Sequence, residues 1–375
     1  MELPLTVAQG LMSLPTVPLI EDLPLAHVVA FARDRPGLAA DQDAAGNVVV
    51  RYQGERADPS RPLVMVAHLD HPGFVVDSVA DRLAYLTFRG GLGLDHARPG
   101  SPLDFFRRGH PDPVAHGELV SATGCDGRLS TGQARVLEGD VSLASFAMWG
   151  FPGFEVGDGH IHGRVCDDLL GAAAVLSVLD EVARREPTTA VWGLFTRAEE
   201  IGFLGTLEAI RLQTLPPAAS VLSIECSQAL PGAPQGAGVI VRVGDRRSIF
   251  DPALTHALGT AAGHLSGTDP SLRWQRKLMD GGTCEASAFC ANGYRASGLA
   301  LPLGNYHNAL DQPPGRTMEG AAGVGPEHVA VDDYLAAVRL LVGLACAPAL
   351  LDGPIPTQTP DWLVEPMARA RAELG

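Results

Sequence analysis

The sequence predicts an α/β protein, a mixed central sheet flanked by helices, with a small β-barrel-like domain inserted. Three observations carry this. Apolar runs with no helical period, LVMVAHL (63–69), AVWGLF (190–195) and VLSIEC (221–226), read as strands buried on both faces. Helical patterns alternate with them, the strongest in GRVCDDLLGAAAVLSVLDEVARRE (163–186) and VDDYLAAVRLLVGLA (331–345). From about residue 71 to 160 the texture changes to glycine, proline and short alternating segments (FVVDSV, LAYLTF, ARVLEG, VSLASF), as in a small barrel or sandwich. The expected domains are residues 1–70 with 161–375, and an insert at 71–160.

In chain order, residues 1–45 read as a helical start, with LAHVVAFAR (25–33) amphipathic and DRPGLAADQDAAGN turn-like. VVVRYQ (48–53) is a strand. The next strand ends in HLDHPGF, so His68 and Asp70 stand at a strand end, where the carboxylate can orient the imidazole. His96, His110 and His116 in the insert, and His160 and His162 close to the next motif, have no ligand-like grouping and read as surface or loop residues. GGLGLDHARPG (90–100) lacks the GxGxxG spacing of a phosphate loop and carries no weight. MWGFPGF (148–154) suits either a contact surface or the insert's own core.

In GRVCDDLLG, Asp168 reads as the helix N-cap, which frees Asp167 to point into a crevice. AVWGLF runs into TRAEE, so Glu199 and Glu200 sit where a buried strand stops. The carboxyl ends of strands line the ligand crevice of open α/β sheets. Alternatively the two acids open a helix, whose N-terminal dipole favours them. VLSIEC ends in Glu225, GVIVRVGD (238–245) is a strand, and DPALTHALGTAAG a helix. Gly281 and Gly282, beside Thr283, would let backbone approach closely. ASGLALPLG (296–304) is a strand with His307 and Asp311 just beyond it, and the tail is proline-interrupted and then helical.

Hydrophobic residues at 46% and charged ones at 19% describe a globular chain with no membrane-length apolar stretch. A net charge of −15 argues against nucleic acid or an anionic membrane as partner, because both are held by clustered Lys and Arg. Six cysteines without a CxxC pair read as reduced thiols. The first basic residue is Arg33, unlike the basic start of a secretory signal, so the expected location is the cytoplasm.

Collected, the strand-end groups are His68, Asp167, Glu200, Glu225 and His307, with Glu199, Asp70 and Asp311 beside them. They form the pattern of a site for two divalent ions. Ions about 3.5–4 Å apart need one carboxylate to bridge them, for which Asp167 is suited, and each needs its own imidazole and carboxylate ligands. Such mixed sites suit zinc, cobalt or manganese. Glu199 reads as the general base.

At these motifs the chain resembles the tetrahedral (TET-type, glutamyl or deblocking) aminopeptidases, co-catalytic dinuclear metallopeptidases. The matching stretches are AHLDHPGF (67–74), GRVCDDLLG (163–171), FTRAEEIGFLG (195–205), SIECS (223–227), GVIVRVGDR (238–246), DGGTCEASAF (280–289) and NYHNALD (305–311). The resemblance implies that His68, Asp167, Glu200, Glu225 and His307 are ligands, Glu199 and Asp70 catalytic, and that N-terminal residues are removed from peptides. It also implies a dimer-based homo-oligomer, up to a dodecamer. Glu225 departs from the usual Asp, and His71 stands where an acid is usual at the mouth of the site, which bears on substrate preference. Asp311, His71, Gly281, Gly282 and Thr283 are candidates for the second layer or the substrate pocket. Two other functions stay open: an amidohydrolase acting on a small N-acyl or amide metabolite, and an inactive interaction protein on this fold.

Overall fold

A computed structural model of the protein describes residues 3–52, 54, 58–310, 323–347 and 361–374. Helices α1 (Leu3–Met12) and α2 (Asp22–Arg33) precede strands β1 (Leu38–Gln42), β2 (Val48–Tyr52) and β3 (Leu63–His68). Six strands follow: β4 (Gly73–Ala80), β5 (Leu83–Arg89), β6 (Pro102–Phe106), β7 (Pro113–Cys125), β8 (Arg128–Gly139) and β9 (Phe146–Trp149). The chain returns through β10 (Glu155–Gly157), β11 (His160–Gly163), α3 (Leu169–Arg185), β12 (Val191–Thr196), α4 (Leu204–Arg211) and β13 (Ser220–Gln228). Next come β14 (Val239–Asp245), α5 (Pro252–Thr268), β15 (Trp274–Met279) and α6 (Glu285–Ala291). It closes with β16 (Arg295–Gly304), β17 (Glu327–Ala330), α7 (Val331–Ala345) and α8 (Asp361–Leu374).

The large sheet runs β1-β2-β12-β3-β13-β16-β17-β11-β10, with β14 pairing β16 and β15. It is mixed, as the α/β pattern predicts: β12, β3, β13 and β16 are parallel, and β2, β14 and β17 join antiparallel. Every residue of β3 and β12 is buried, which is why these segments show no alternation. Helix α3 buries its small face against the sheet, and α7 packs on α3 with Tyr334, Leu340 and Leu341 inside. Among the described residues no helix is long and apolar enough to cross a membrane.

Strands β4-β5-β8-β7-β6-β9 close into a barrel, which leaves no free sheet edge. Its core is aromatic: Phe74 lies edge-on to Phe88 and to Trp149, with ring centroids 4.9 and 5.1 Å away. Of the two readings of MWGFPGF, core packing holds for Trp149, which is 1% exposed. Phe151 lies against the barrel core and Phe154 against the main one. After Trp149 the chain rejoins the large sheet, where β11 pairs β17.

Several segments differ from their sequence patterns. LAADQ, read as a turn, is the edge strand β1 on β2; its polar, partly exposed residues give no apolar signal. The strands β15 and β17 were invisible for similar reasons, the one half-exposed and the other four residues long. Strand β13 does not stop at Glu225 but continues to Gln228. Helix α4 begins only at Leu204, so Glu199 and Glu200 lie in the loop before it and do not open it.

Candidate active site

Parallel pairing of β3 and β12 sets His68 opposite Thr196, so both strands deliver their polar successors to the same sheet edge. Asp70 then ties the two together. Its carboxylate oxygens accept the backbone N–H groups of Glu199 (2.9 Å) and Glu200 (3.1 Å). Its carbonyl accepts the His68 Nδ1 hydrogen at 3.1 Å, which turns Nε2 toward Asp167 Oδ1, 3.5 Å away, as the nitrogen a metal would take. The second oxygen of Asp167 lies 3.6 Å from His307 Nε2, and Glu200 Oε1 lies 3.0 Å from that same nitrogen. His307 is oriented like His68, with Nδ1 bonded to the carbonyl of Gly91.

Ligand atoms of His68, Asp167 and Glu225 all lie within 4.8 Å of one another, and so do those of Asp167, Glu200 and His307. Asp167 belongs to both groups. A third grouping, His68 with Glu199 and Glu200, puts the Glu199 carboxylate beside the other two. The residues fit divalent cations on a further ground. Asp167 Oδ1, Glu200 Oε1, Glu225 Oε1 and His307 Nε2 are buried with no hydrogen-bond partner, an arrangement that is costly unless something else satisfies them. The metal-free electrostatics agree. Burial pushes Glu225 up to about 8, with Asp167 reinforcing and His68 and Arg242 opposing. Burial also pushes Glu199 well above the usual carboxylate range, with His68 opposing and Glu225 and Glu200 reinforcing. Burial works against charge on the imidazoles, yet Glu199, Asp167 and Asp70 hold His68 well above its ordinary value, and Glu200 with Asp167 brings His307 to about 9. The cluster holds protons that cations would replace.

Other candidates fall differently. Asp168 takes the N-cap position of α3 but makes no capping hydrogen bond; its oxygens are buried without partners. A Cβ at Gly171 would sit 2.1 Å from Asp168 Oδ1, so the helix needs glycine there. His71 does not reach the mouth of the site. It is fully buried behind Asp167, with Nδ1 on the Asp167 carbonyl at 2.6 Å and Nε2 on Asn308 Oδ1 at 2.9 Å. Gly281, Gly282 and Thr283 line the cleft over the site, and a Cβ on either glycine would meet no protein atom within 4 Å. Asp311 lies outside the described residues. His96, read as a surface residue, is 8% exposed and lines the cleft.

Two supporting residues had no sequence signal. Glu327, on β17, accepts the backbone N–H groups of Cys166 (2.7 Å) and Asp167 (2.9 Å) on one oxygen and that of His307 (2.8 Å) on the other. It therefore fixes the two segments that meet at the shared carboxylate. Gly91, in the glycine-rich stretch of the insert, positions His307 through its carbonyl. In sequence each is far from the residue it serves.

The sequence model of the M42 glutamyl aminopeptidase family matches residues 130–312, just under half of the chain. No curated protein matches the chain in sequence. Among solved structures, aminopeptidase APDkam598 from the archaeon Desulfurococcus kamchatkensis is 18% identical over 95% of this chain and 99% of its own, with a TM-score of 0.74. The TET aminopeptidase of the marine sediment archaeon Thaumarchaeota archaeon SCGC AB-539-E09 is 18% identical over 92% and 97%, with a TM-score of 0.73. The Pyrococcus horikoshii TET1 peptidase, which can assemble into a tetrahedron or a large octahedral shell, is 16% identical over 91% and 99%, at 0.70. At these identities the likeness is one of fold. The partial family match and the shared fold agree with the resemblance read from the motifs: residues 130–312 are similar to the M42 glutamyl aminopeptidases, and the chain has the fold of the TET aminopeptidases.

Proposed function

We propose that the chain is an aminopeptidase with a dinuclear centre, in which His68, Asp167 and Glu225 hold one divalent ion and Asp167, Glu200 and His307 a second. The observation that carries this reading is the Asp167 carboxylate, which turns one oxygen to His68 and the other to His307. Imidazole and carboxylate donors in this ratio suit zinc, with cobalt or manganese as alternatives. Bound divalent ions supply Lewis acidity, polarising the scissile carbonyl and making water a competent nucleophile near neutral pH. Glu199 takes the proton of the attacking water and returns it to the leaving amine. Asp70 holds Glu199 and Glu200 by their backbone, so that the base and the adjacent ligand keep a fixed separation. The surrounding carboxylates favour the free ammonium of a peptide's first residue, which restricts cleavage to the N-terminus.

The cleft above the site is lined by Arg128, Arg246 and Arg247 along with Glu200 and His307. Those cations favour substrates carrying a carboxylate next to the scissile bond. A homo-oligomer, as in the TET1 peptidase, is the assembly we assign to this chain, and sedimentation of the intact protein tests it. For the site, the test is elemental analysis of metal-saturated protein with kcat/KM on aminoacyl substrates. We expect two ions per chain, fewer in Asp167→Asn, and acidic first residues preferred to basic ones. One ion per chain in the wild type, or two retained in Asp167→Asn, rejects the dinuclear reading.

A further inference from the structure

Away from the catalytic cleft, three histidines converge on the edge of the large sheet. His160 and His162 lie two residues apart on one face of β11, and His328 of β17 is paired directly with His162. The opposite face carries Ile161 and Val329, both buried in the main core, so the histidines face outward and are half-buried. Their ring centroids are 6.0 Å (His160 to His162), 5.6 Å (His160 to His328) and 5.7 Å (His162 to His328) apart. Three imidazoles bound to one ion at about 2.0–2.1 Å place their centroids roughly 5 Å apart. The triangle is wider than that by up to about 1 Å, so coordination requires the side chains to turn inward.

Strand pairing adds a carboxylate. Glu155 of β10 is paired with His162, so Glu155, His162 and His328 form one row across three strands, on one face. The row continues to Gly304 of β16, where a Cβ would lie 2.1 Å from the His328 ring; only glycine leaves room for the imidazole. His160 Nδ1 contacts the Asp158 carbonyl at 2.9 Å, the kind of bond that fixes a ring and leaves its Nε2 free to coordinate.

We propose that His160, His162 and His328, with Glu155, form a second and separate metal site for one transition-metal dication, of which zinc is the probe. Three nitrogens and one carboxylate suit zinc, cobalt or nickel and disfavour calcium or magnesium, which take oxygen ligands. An ion here ties the edge strands β10 and β11 to β17, the strand whose Glu327 holds the backbone of Asp167 and His307. Its role is to staple the sheet edge that supports the catalytic loop.

The test compares chelated and then zinc-saturated wild type with His162→Ala, His328→Ala and the double variant, reading zinc per chain, the melting-temperature rise on zinc addition, and peptidase activity. The expected result is one zinc fewer per chain in the double variant and a smaller thermal response, with activity lost on heating at a lower temperature than in the wild type. Glu155→Gln, which removes the carboxylate ligand, should weaken this zinc by at least roughly tenfold, the low end of what even a group outside the ligand set contributes. The readout is a difference between proteins, so it stands whatever the number of ions at Asp167. If an alanine variant does not fold, His162→Asn with His328→Gln takes its place. Equal zinc content and equal thermal response in wild type and double variant overturn the proposal, as does an extra zinc that survives both substitutions.

Discussion

In the proposed reading Glu199 and Glu200 are adjacent carboxylates with separate tasks, since Asp70 holds both backbones while, of the two, Glu200 reaches His307. Glu199→Gln should fold and keep its metal but lose at least ~10²-fold in turnover, the low end of a general acid–base contribution. Glu200→Gln should lose metal affinity first, so that excess metal restores part of its activity and none of the loss at Glu199. Metal titrations with turnover at each point decide it, and identical responses of the two variants would refute the division of roles. His71 belongs to this scale too. Its sequence neighbourhood pointed to the substrate mouth, but both ring nitrogens are taken by buried oxygens, so in the proposed reading selectivity between acidic and basic substrates passes to the arginines of the cleft.

Among the elements, β17 does more than its four residues announce. Glu327 sends two oxygens to three N–H groups, and burial brings it up to about 7. A glutamine offers one oxygen, so in Glu327→Gln at least one N–H meets an NH₂ and is left unsatisfied, costing about 1–3 kcal/mol. The expected outcome is a loss of ~10–100-fold in metal affinity, as for other groups that orient ligands, with the helices and barrel intact by circular dichroism. Unchanged metal binding in this variant would show that the Asp167 and His307 segments hold their places without it. The barrel likewise reaches into the site, since Gly91 of the loop after β5 carries the carbonyl that orients His307.

For the whole molecule, the cluster makes stability depend on pH when metal is removed. Glu225, Glu199, His68 and His307 all have folded-state values above their ordinary ones, 4.5 for the acids and 6.5 for the imidazoles. The folded metal-free chain therefore binds protons that the unfolded chain has already released. Stability from the carboxyl groups falls as pH rises above about 4.5, that from His307 falls between about 6.5 and 9, and that from His68 falls as pH rises above about 6.5. Chelated protein should melt lower at pH 9 than at pH 6, and zinc should remove most of that difference by taking the place of the protons. A melting temperature that rises from pH 6 to pH 9 in the chelated protein would contradict this account.

By itself the sequence determined the fold class, because strands buried on both faces and long amphipathic helices are written in local apolar patterns. It also named His68, Asp167, Glu200, Glu225 and His307 as candidates, since polar residues in or beside buried apolar runs stand out against their surroundings. It could not show β1, β15 or β17, whose short or polar strands are strands only because a neighbour pairs with them. Nor could it show that Asp70 clamps Glu199 and Glu200, that Glu327 joins Asp167 to His307, that Gly91 aims His307, or that His328 meets His160 and His162. Those relations lie between residues distant in the chain and arise from strand register and barrel placement. Only the tertiary structure decides them, because a hydrogen bond between separate segments leaves no periodic trace in either one.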